Sequence, residues 1–131
     1  MRVPITMDGK EYKNIHVVSI KRSFQVLDGE NAGRVMTGEM DRDVIGTFYN
    51  FACEIDASRA NRAEYDEFWE AISAPVNSHT LSLPYAQGMM DFNAYVTNGS
   101  DALWSMDEDA NEWGDLSFNF ISMEPQRRPA E

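Results

Sequence analysis

Hydrophobic and polar residues alternate along most of this chain, and the alternation gives way once to a helical repeat. Val3, Ile5 and Met7 alternate weakly and lead into Asp8-Gly9, a dipeptide suited to a two-residue hairpin turn. Tyr12 to Leu27 reads as a strand, with Ile20, Phe24 and Val26 on one face and Lys21, Ser23 and Gln25 on the other. Asp28 to Gly33 is a turn rich in glycine and asparagine, Arg34 to Met40 a short strand, and Asp41-Arg42-Asp43 a polar corner. Thr47 to Ile55 carries the strongest alternation: Tyr49, Phe51, Cys53 and Ile55 share one face, Phe48, Asn50, Ala52 and Glu54 the other. That pattern is expected of an antiparallel sheet covered on one side.

The helical repeat follows. Tyr65, Phe68, Trp69 and Ile72 fall at i, i+3, i+4 and i+7, which places them on one stripe of a helix over about 61–74. Asn61 and Glu64 have the spacing of a capping box, acidic residues crowd the first turns, and Pro75 ends the helix. Strands then resume. His79, Leu81 and Leu83 alternate with polar residues up to Pro84, and Gln87-Gly88 turns the chain. Met90, Phe92, Ala94 and Val96 form another strand, and Asn98-Gly99 is a hairpin signal. Ala102 to Met106 is a short strand, Asp107 to Gly114 an acidic loop, and Leu116 to Ile121 the last strand. The expectation is a mainly β fold: an antiparallel β-sandwich or partly closed barrel with one flanking helix, in a single domain spanning 1–131. One helix is too few for a doubly wound parallel fold.

Composition adds little to this until charge is considered. A chain of 131 residues, 43% hydrophobic, has enough apolar surface for a core without metals or disulfides, and its single cysteine, Cys53, cannot form an intrachain bridge. There is no signal-like segment and no apolar run of membrane length, so an intracellular or virion product that neither enters nor binds a membrane is expected. The net charge is −11 and is unevenly spread. Residues 1–62 hold nine basic and nine acidic side chains, whereas residues 63–126 hold twelve acidic and no basic ones. Specific nucleic-acid binding, which needs a basic footprint, is not expected. The acidic half reads either as a solubilising surface or as a face that repels polyanions or meets a basic partner.

The motifs of chemistry are missing. His16 and His79 lie on separate strands with no nucleophile elbow. Cys53 lies mid-strand beside Glu54, the place of a buried small hydrophobe and not of an activated thiol. Asp107 to Asn111 begins like a calcium loop, but Glu112 replaces the required glycine and Phe118 the closing glutamate. No Cys/His spacing suits zinc, and the glycines form no phosphate-binding loop. Trp69 belongs to the helix stripe, and Trp104 and Trp113 flank the acidic loop as an expected cross-strand pair. No catalytic, cofactor-binding or metal residue is assigned, and an enzyme is not expected.

Three stretches carry a resemblance. They are Lys21-Arg22-Ser23-Phe24 through Leu27–Arg34 to Gly46–Asn50; Glu64-Tyr65-Asp66-Glu67 through Ile72–Val76 to His79 and Leu83-Pro84-Tyr85; and Phe92–Val96, then Trp113-Gly114 and Phe118 to Pro125. Together they resemble small structural proteins of bacteriophage and prophage tail modules. The resemblance implies a tail-tube-like plan, a β-sandwich or barrel with a flanking helix, assembled with itself into rings, often hexameric, and with other tail proteins. It also implies a virion protein assembled in the host cytoplasm, with an acidic lumen past which DNA slides. The chain is short and lacks an identifiable long assembly arm, which leaves tube, distal tail or baseplate, and completion protein as open subclasses. The polar, glycine-rich segment Asp28 to Asp43 is the expected ring contact. The alternative is a monomeric acidic adaptor for a basic partner protein.

Overall fold

The computed structural model describes residues 5–12, 14–29, 33–34, 38, 40–56, 62–106, 108 and 110–129. Among the described residues there are ten strands and one helix. The strands are β1 (Ile5–Met7), β2 (Lys10–Tyr12), β3 (His16–Asp28), β4 (Gly33–Arg34), β5 (Met40–Asp41) and β6 (Val44–Asp56), then, after helix α1 (Arg62–Ile72), β7 (His79–Tyr85), β8 (Gly88–Tyr95), β9 (Gly99–Met106) and β10 (Asn111–Ser122). Eight of them make one antiparallel sheet in the order β2-β1-β7-β8-β10-β6-β3, with β9 added beside β10, and β4 and β5 form a separate small ladder. The fold is mainly β with one flanking helix, as expected, and β2 and β3 remain free edges, so no closed barrel forms.

The sheet nevertheless curls. Tyr49 of β6 and Tyr85 of β7 stand three strand positions apart in the sheet order, yet their ring centroids are 5.5 Å apart and their hydroxyls 3.2 Å apart. A flat sheet would separate them by about 14 Å at about 4.8 Å per strand. Curvature brings one face inward, and the alternating residues of that face make the core: Ile5 and Met7, Tyr49 through Ile55, Leu81 and Leu83, Phe92 and Ala94, and Leu116 through Phe120. The inward face of β6 is the one its alternation predicts.

Helix α1 closes this concavity. Tyr65, Phe68 and Ile72 of its stripe are buried, and Trp69 is half-buried at the margin. Phe68 meets Tyr12 edge-on at 5.1 Å and Phe118 at 5.6 Å, joining the helix to the outermost strand β2 and to the central strand β10. Burying such a side chain contributes about 1.5–3 kcal/mol. The helix stops before Pro75, where the Ser73 amide and hydroxyl both donate to the Trp69 carbonyl. Its expected N-cap, Asn61, lies outside the described residues. Glu64 accepts a hydrogen bond from the Asn14 amide at 3.1 Å, which ties the first turn to the loop before β3.

The turns depart from expectation in three places. Asp8-Gly9 forms the expected hairpin with both residues at positive φ, 55° and 85°, the two-residue geometry that twists with its strands. Asn98-Gly99, by contrast, makes no hairpin. Strands β8 and β9 do not pair with each other; both pair antiparallel to β10, one after the other along the same edge. The dipeptide therefore ends a break between two collinear strands. Of the stretch 34–40, expected as one strand, Arg34 and Met40 instead pair with each other in two antiparallel strands, β4 and β5, and Gly38 has positive φ. Finally, the acidic loop is shorter than expected. Strand β10 already begins at Asn111, and its ladder with β9 is interrupted by register shifts at Glu112/Trp113 and Gly114/Ser117. Those bulges disrupt the alternation by which a strand is recognised in sequence.

One polar centre fixes the β1–β2 hairpin. The Asp8 carboxylate accepts the Thr80 amide at 2.9 Å and the Nδ1–H of buried His79 at 2.7 Å. Burial works to raise the Asp8 carboxyl, but the His79 and Thr80 hydrogen bonds and the His79 charge outweigh it and hold the group below its ordinary value. A lowered folded-state value stabilises the fold above the unfolded carboxylate value, near about pH 4, and that stability is lost as pH falls through the lower folded value. Thermal melts across this window should show a steeper acid loss for the parent chain than for Asp8→Asn; equal slopes would refute the anchor.

Candidate assembly interface

Strands β3 and β6 are each thirteen residues long and pair along nearly their whole length, more than the core needs. Their first-paired halves, near Val17 and Ile55, sit over the core. Every residue of β3 from 21 to 27 is exposed, while Tyr49 of β6, opposite Phe24, still meets Tyr85 at the end of β7. The alternation of Ile20, Phe24 and Val26 marks a strand but not a buried face. Phe24 is 72% exposed, and Val26, Leu27 and Ile45 are exposed on the same projecting wing. At its base the Arg22 guanidinium lies 5.1 Å over the Tyr85 ring. At its tip Arg42 donates through Nε to Asp28 at 2.8 Å, and the Gly29 amide donates to the Asp43 carbonyl. Asp28, Gly29, Arg42 and Asp43, the described ends of the segment singled out from the sequence, thus lie at the end of the paired strands β3 and β6.

The wing is braced on one side. After β10 the chain turns back along β6, where the Thr47 amide donates to the Arg127 carbonyl and the Gln126 amide to the Thr47 carbonyl, each at 2.8 Å. Gly46 lies under this segment: a Cβ there would come within 2.5 Å of the Pro125 Cβ and 2.6 Å of the Arg127 carbonyl oxygen. The Ser122 hydroxyl accepts the Tyr49 amide and satisfies that buried donor.

The residues considered for chemistry stand apart. His16 is exposed on β3, and His79 is buried against Asp8. Cys53 is buried in the core, where desolvation pushes its thiol up to about 12 and its Sγ–H faces the Phe51 carbonyl. Such a thiol stays protonated and is a poor nucleophile. Asp107 and Asp109 lie outside the described residues, and among the described residues no three His, Cys, Asp or Glu side chains are grouped to hold a metal ion. The expected Trp104–Trp113 pairing is replaced. Trp113 faces Leu103 across the ladder, while the Trp104 ring covers Gly114 and its indole N–H donates to Asp115 at 3.1 Å. The bulges in β10 shift the register that would have set the two indoles opposite each other. The half-buried Trp69 and Trp113 instead meet at one pocket with Tyr65. Sequence reasoning missed this meeting, although aromatic residues inside a segment devoid of lysine and arginine were a signal for it.

No protein-family model matches the chain, and no curated protein matches it. Solved structures do. A chain in the tail of an empty gene transfer agent particle, determined by helical refinement with C6 symmetry, superposes with a TM-score of 0.57 at 9% identity, covering 99% of this chain and 96% of that one. A chain in the virion of a native gene transfer agent particle gives a TM-score of 0.56 at 10% identity, covering 98% and 96%. At such identities the likeness is one of fold. It runs from end to end, and the β3–β6 wing and the helix-closed sheet both lie within it. The fold of this chain is therefore one found in the tail and virion of gene transfer agent particles, in agreement with the β-rich, one-helix fold that its resemblance to tail proteins implied.

Proposed function

We propose that this chain is a structural protein of a phage or phage-like tail, acting as a single folded unit that assembles into a ring of identical copies. The observation that carries this reading is the end-to-end fold likeness to a chain of a tail with C6 symmetry. The wing supports it. A projecting hairpin with Phe24, Val26, Leu27 and Ile45 exposed is costly to leave in water, and apolar surface of this kind marks a contact surface. A protrusion on one side of a subunit that meets a different surface on the next is a heterologous contact, which closes into a ring when the rotation permits. The twelve acidic side chains of residues 63–126 fit a lumen that repels DNA and lets it pass without a binding site. The role is mechanical, carried out in the virion with other tail proteins after assembly in the host cytoplasm.

Light scattering after size separation, with negative-stain imaging, should show rings of about six copies, the symmetry order of the similar tail. Phe24→Asp should leave a folded monomer, because the side chain is 72% exposed and contributes little to the core. A parent chain that remains monomeric at every concentration, alone and with tail partners, would overturn the reading.

A further inference from the structure

We propose that the pocket between α1, β9 and β10 receives an arginine side chain from a second copy of this chain. The pocket has a volume of about 260 Å³ and is lined by Tyr65, Asp66 and Trp69 of the helix, Asp101 of β9 and Trp113 of β10. Two indoles and a phenol form its walls, and two carboxylates supply its only charges. The Tyr65 hydroxyl donates to Asp101 Oδ2 at 2.9 Å, which fixes that carboxylate at the wall and leaves its second oxygen for an incoming donor. Burial, then the bond to Asp101, raises the Tyr65 phenol above its ordinary value, so it stays a donor and adds no third negative charge.

Aromatic faces beside carboxylates select a cation. Two acids are too few to hold a bare metal ion, which takes more oxygen ligands than this pocket offers. A planar guanidinium suits it better than an ammonium, because it can stack on an indole while its several N–H groups reach both carboxylates. Among the described residues, no basic side chain lines the pocket. Residues 63–126 contain no lysine or arginine. The arginine at the start of the helix, Arg62, is held by Glu112 at 2.9 Å, and Lys10 is held by Glu67. The basic side chains are concentrated in residues 1–62, which include the projecting wing. A contact that sets an arginine from the charge-balanced half of one copy into the acidic half of the next pairs opposite charges, and repetition of that contact generates a ring. The inference rests on the ring reading above and names one of its contacts.

The double variant Asp66→Asn/Asp101→Asn tests it. Both replacements keep side-chain shape, and the amide oxygen introduced at position 101 can still accept from Tyr65. Sedimentation over a concentration series should show the variant folded but needing about tenfold or more protein for half-assembly, as expected for loss of a charge-assisted aromatic contact. In parallel, N-acetyl-arginine amide titrated into the dilute monomer should change tryptophan emission saturably. The change should persist in Trp104→Phe, be about tenfold weaker in the double variant, and be weaker for N-acetyl-lysine amide. If the double variant fails to fold, Asp66→Asn alone, at an exposed position, decides by the same two measurements. Parent rings with unchanged assembly in the variant would overturn this inference and leave the ring reading intact. A parent chain that never assembles would overturn both. Arginine amide binding with no change in assembly would exclude a second copy as the occupant.

Discussion

Phe68→Ala should cost about 3–5 kcal/mol, the range for removing a fully buried phenylalanine from a core. Domains of this size are stable by only about 5–15 kcal/mol, so the variant should lose a large fraction of its stability. The reason is positional. Phe68 is the one helix residue whose ring touches both Tyr12, on the outermost strand of the sheet, and Phe118, on a central strand. Removing it opens a cavity where the helix closes the curled sheet, and the backbone of three elements would have to move to refill it. Urea denaturation followed by circular dichroism measures the loss. Phe24→Ala is the internal comparison: the same substitution at a 72% exposed ring should change stability by no more than about 0.5 kcal/mol. Similar losses for both would mean that the helix does not cap the sheet.

Gly46→Ala should cost about 2–4 kcal/mol although it adds one methyl group. The added carbon would overlap the Pro125 ring and, with less room to relax, the backbone carbonyl of Arg127. Overpacking of this kind costs about 1–3 kcal/mol. Relief requires the 125–127 segment to lift, and that breaks the two hydrogen bonds it makes with Thr47, each contributing about 0.5–1.5 kcal/mol. The accompanying signature is local: the Thr47 amide should lose its protection from hydrogen exchange, while amides in the β6–β10 ladder keep theirs. Gly9 offers the contrast, since a Cβ there meets nothing within 4 Å and an alanine would feel only the strain of its positive φ. If the Thr47 amide stays protected in Gly46→Ala, the segment is not braced there.

The parts of the fold legible in the sequence are those set by neighbours a few residues apart. The stripe Tyr65, Phe68 and Ile72, the inward face from Tyr49 to Ile55 and the Asp8-Gly9 turn all follow from local periodicity or from φ preference. Partners remote in the chain are not encoded locally. Nothing near Met7 says that it pairs with Leu81, and nothing in Asn98-Gly99 says that the strands on either side share an edge of β10 instead of facing each other. The bulges of β10 cost most, because they hid the strand from Asn111 to Gly114 inside an acidic loop and changed the partners of the two tryptophans. The proposed contact surface was not read as such from the pattern alone. Asp28 to Asp43 stood out as polar and glycine-rich, but the wing that carries it was not visible, because alternation in β3 looks the same whether its apolar residues are buried or project into solvent. The arginine pocket draws on three elements, and only its electrostatic half, the absence of positive charge after residue 62, could be read beforehand.

The central place of β10 has a consequence for how this molecule is made. That strand pairs with β6 on one side and with β8 and β9 on the other, so it joins the two halves of the sheet, and it is the latest of the ten strands to leave the ribosome. Until residues 111–122 emerge, the long β6 has only β3 beside it, and the inner ends of both half-sheets are unpaired edges awaiting a partner. Sheets built from such sequence-distant pairings fold slowly, and their open edges are prone to mispairing in the interval. Translation up to residue 110 therefore leaves a chain unable to complete this core, and any pause just before Asn111 would lengthen the time in which those edges can capture one another between nascent chains.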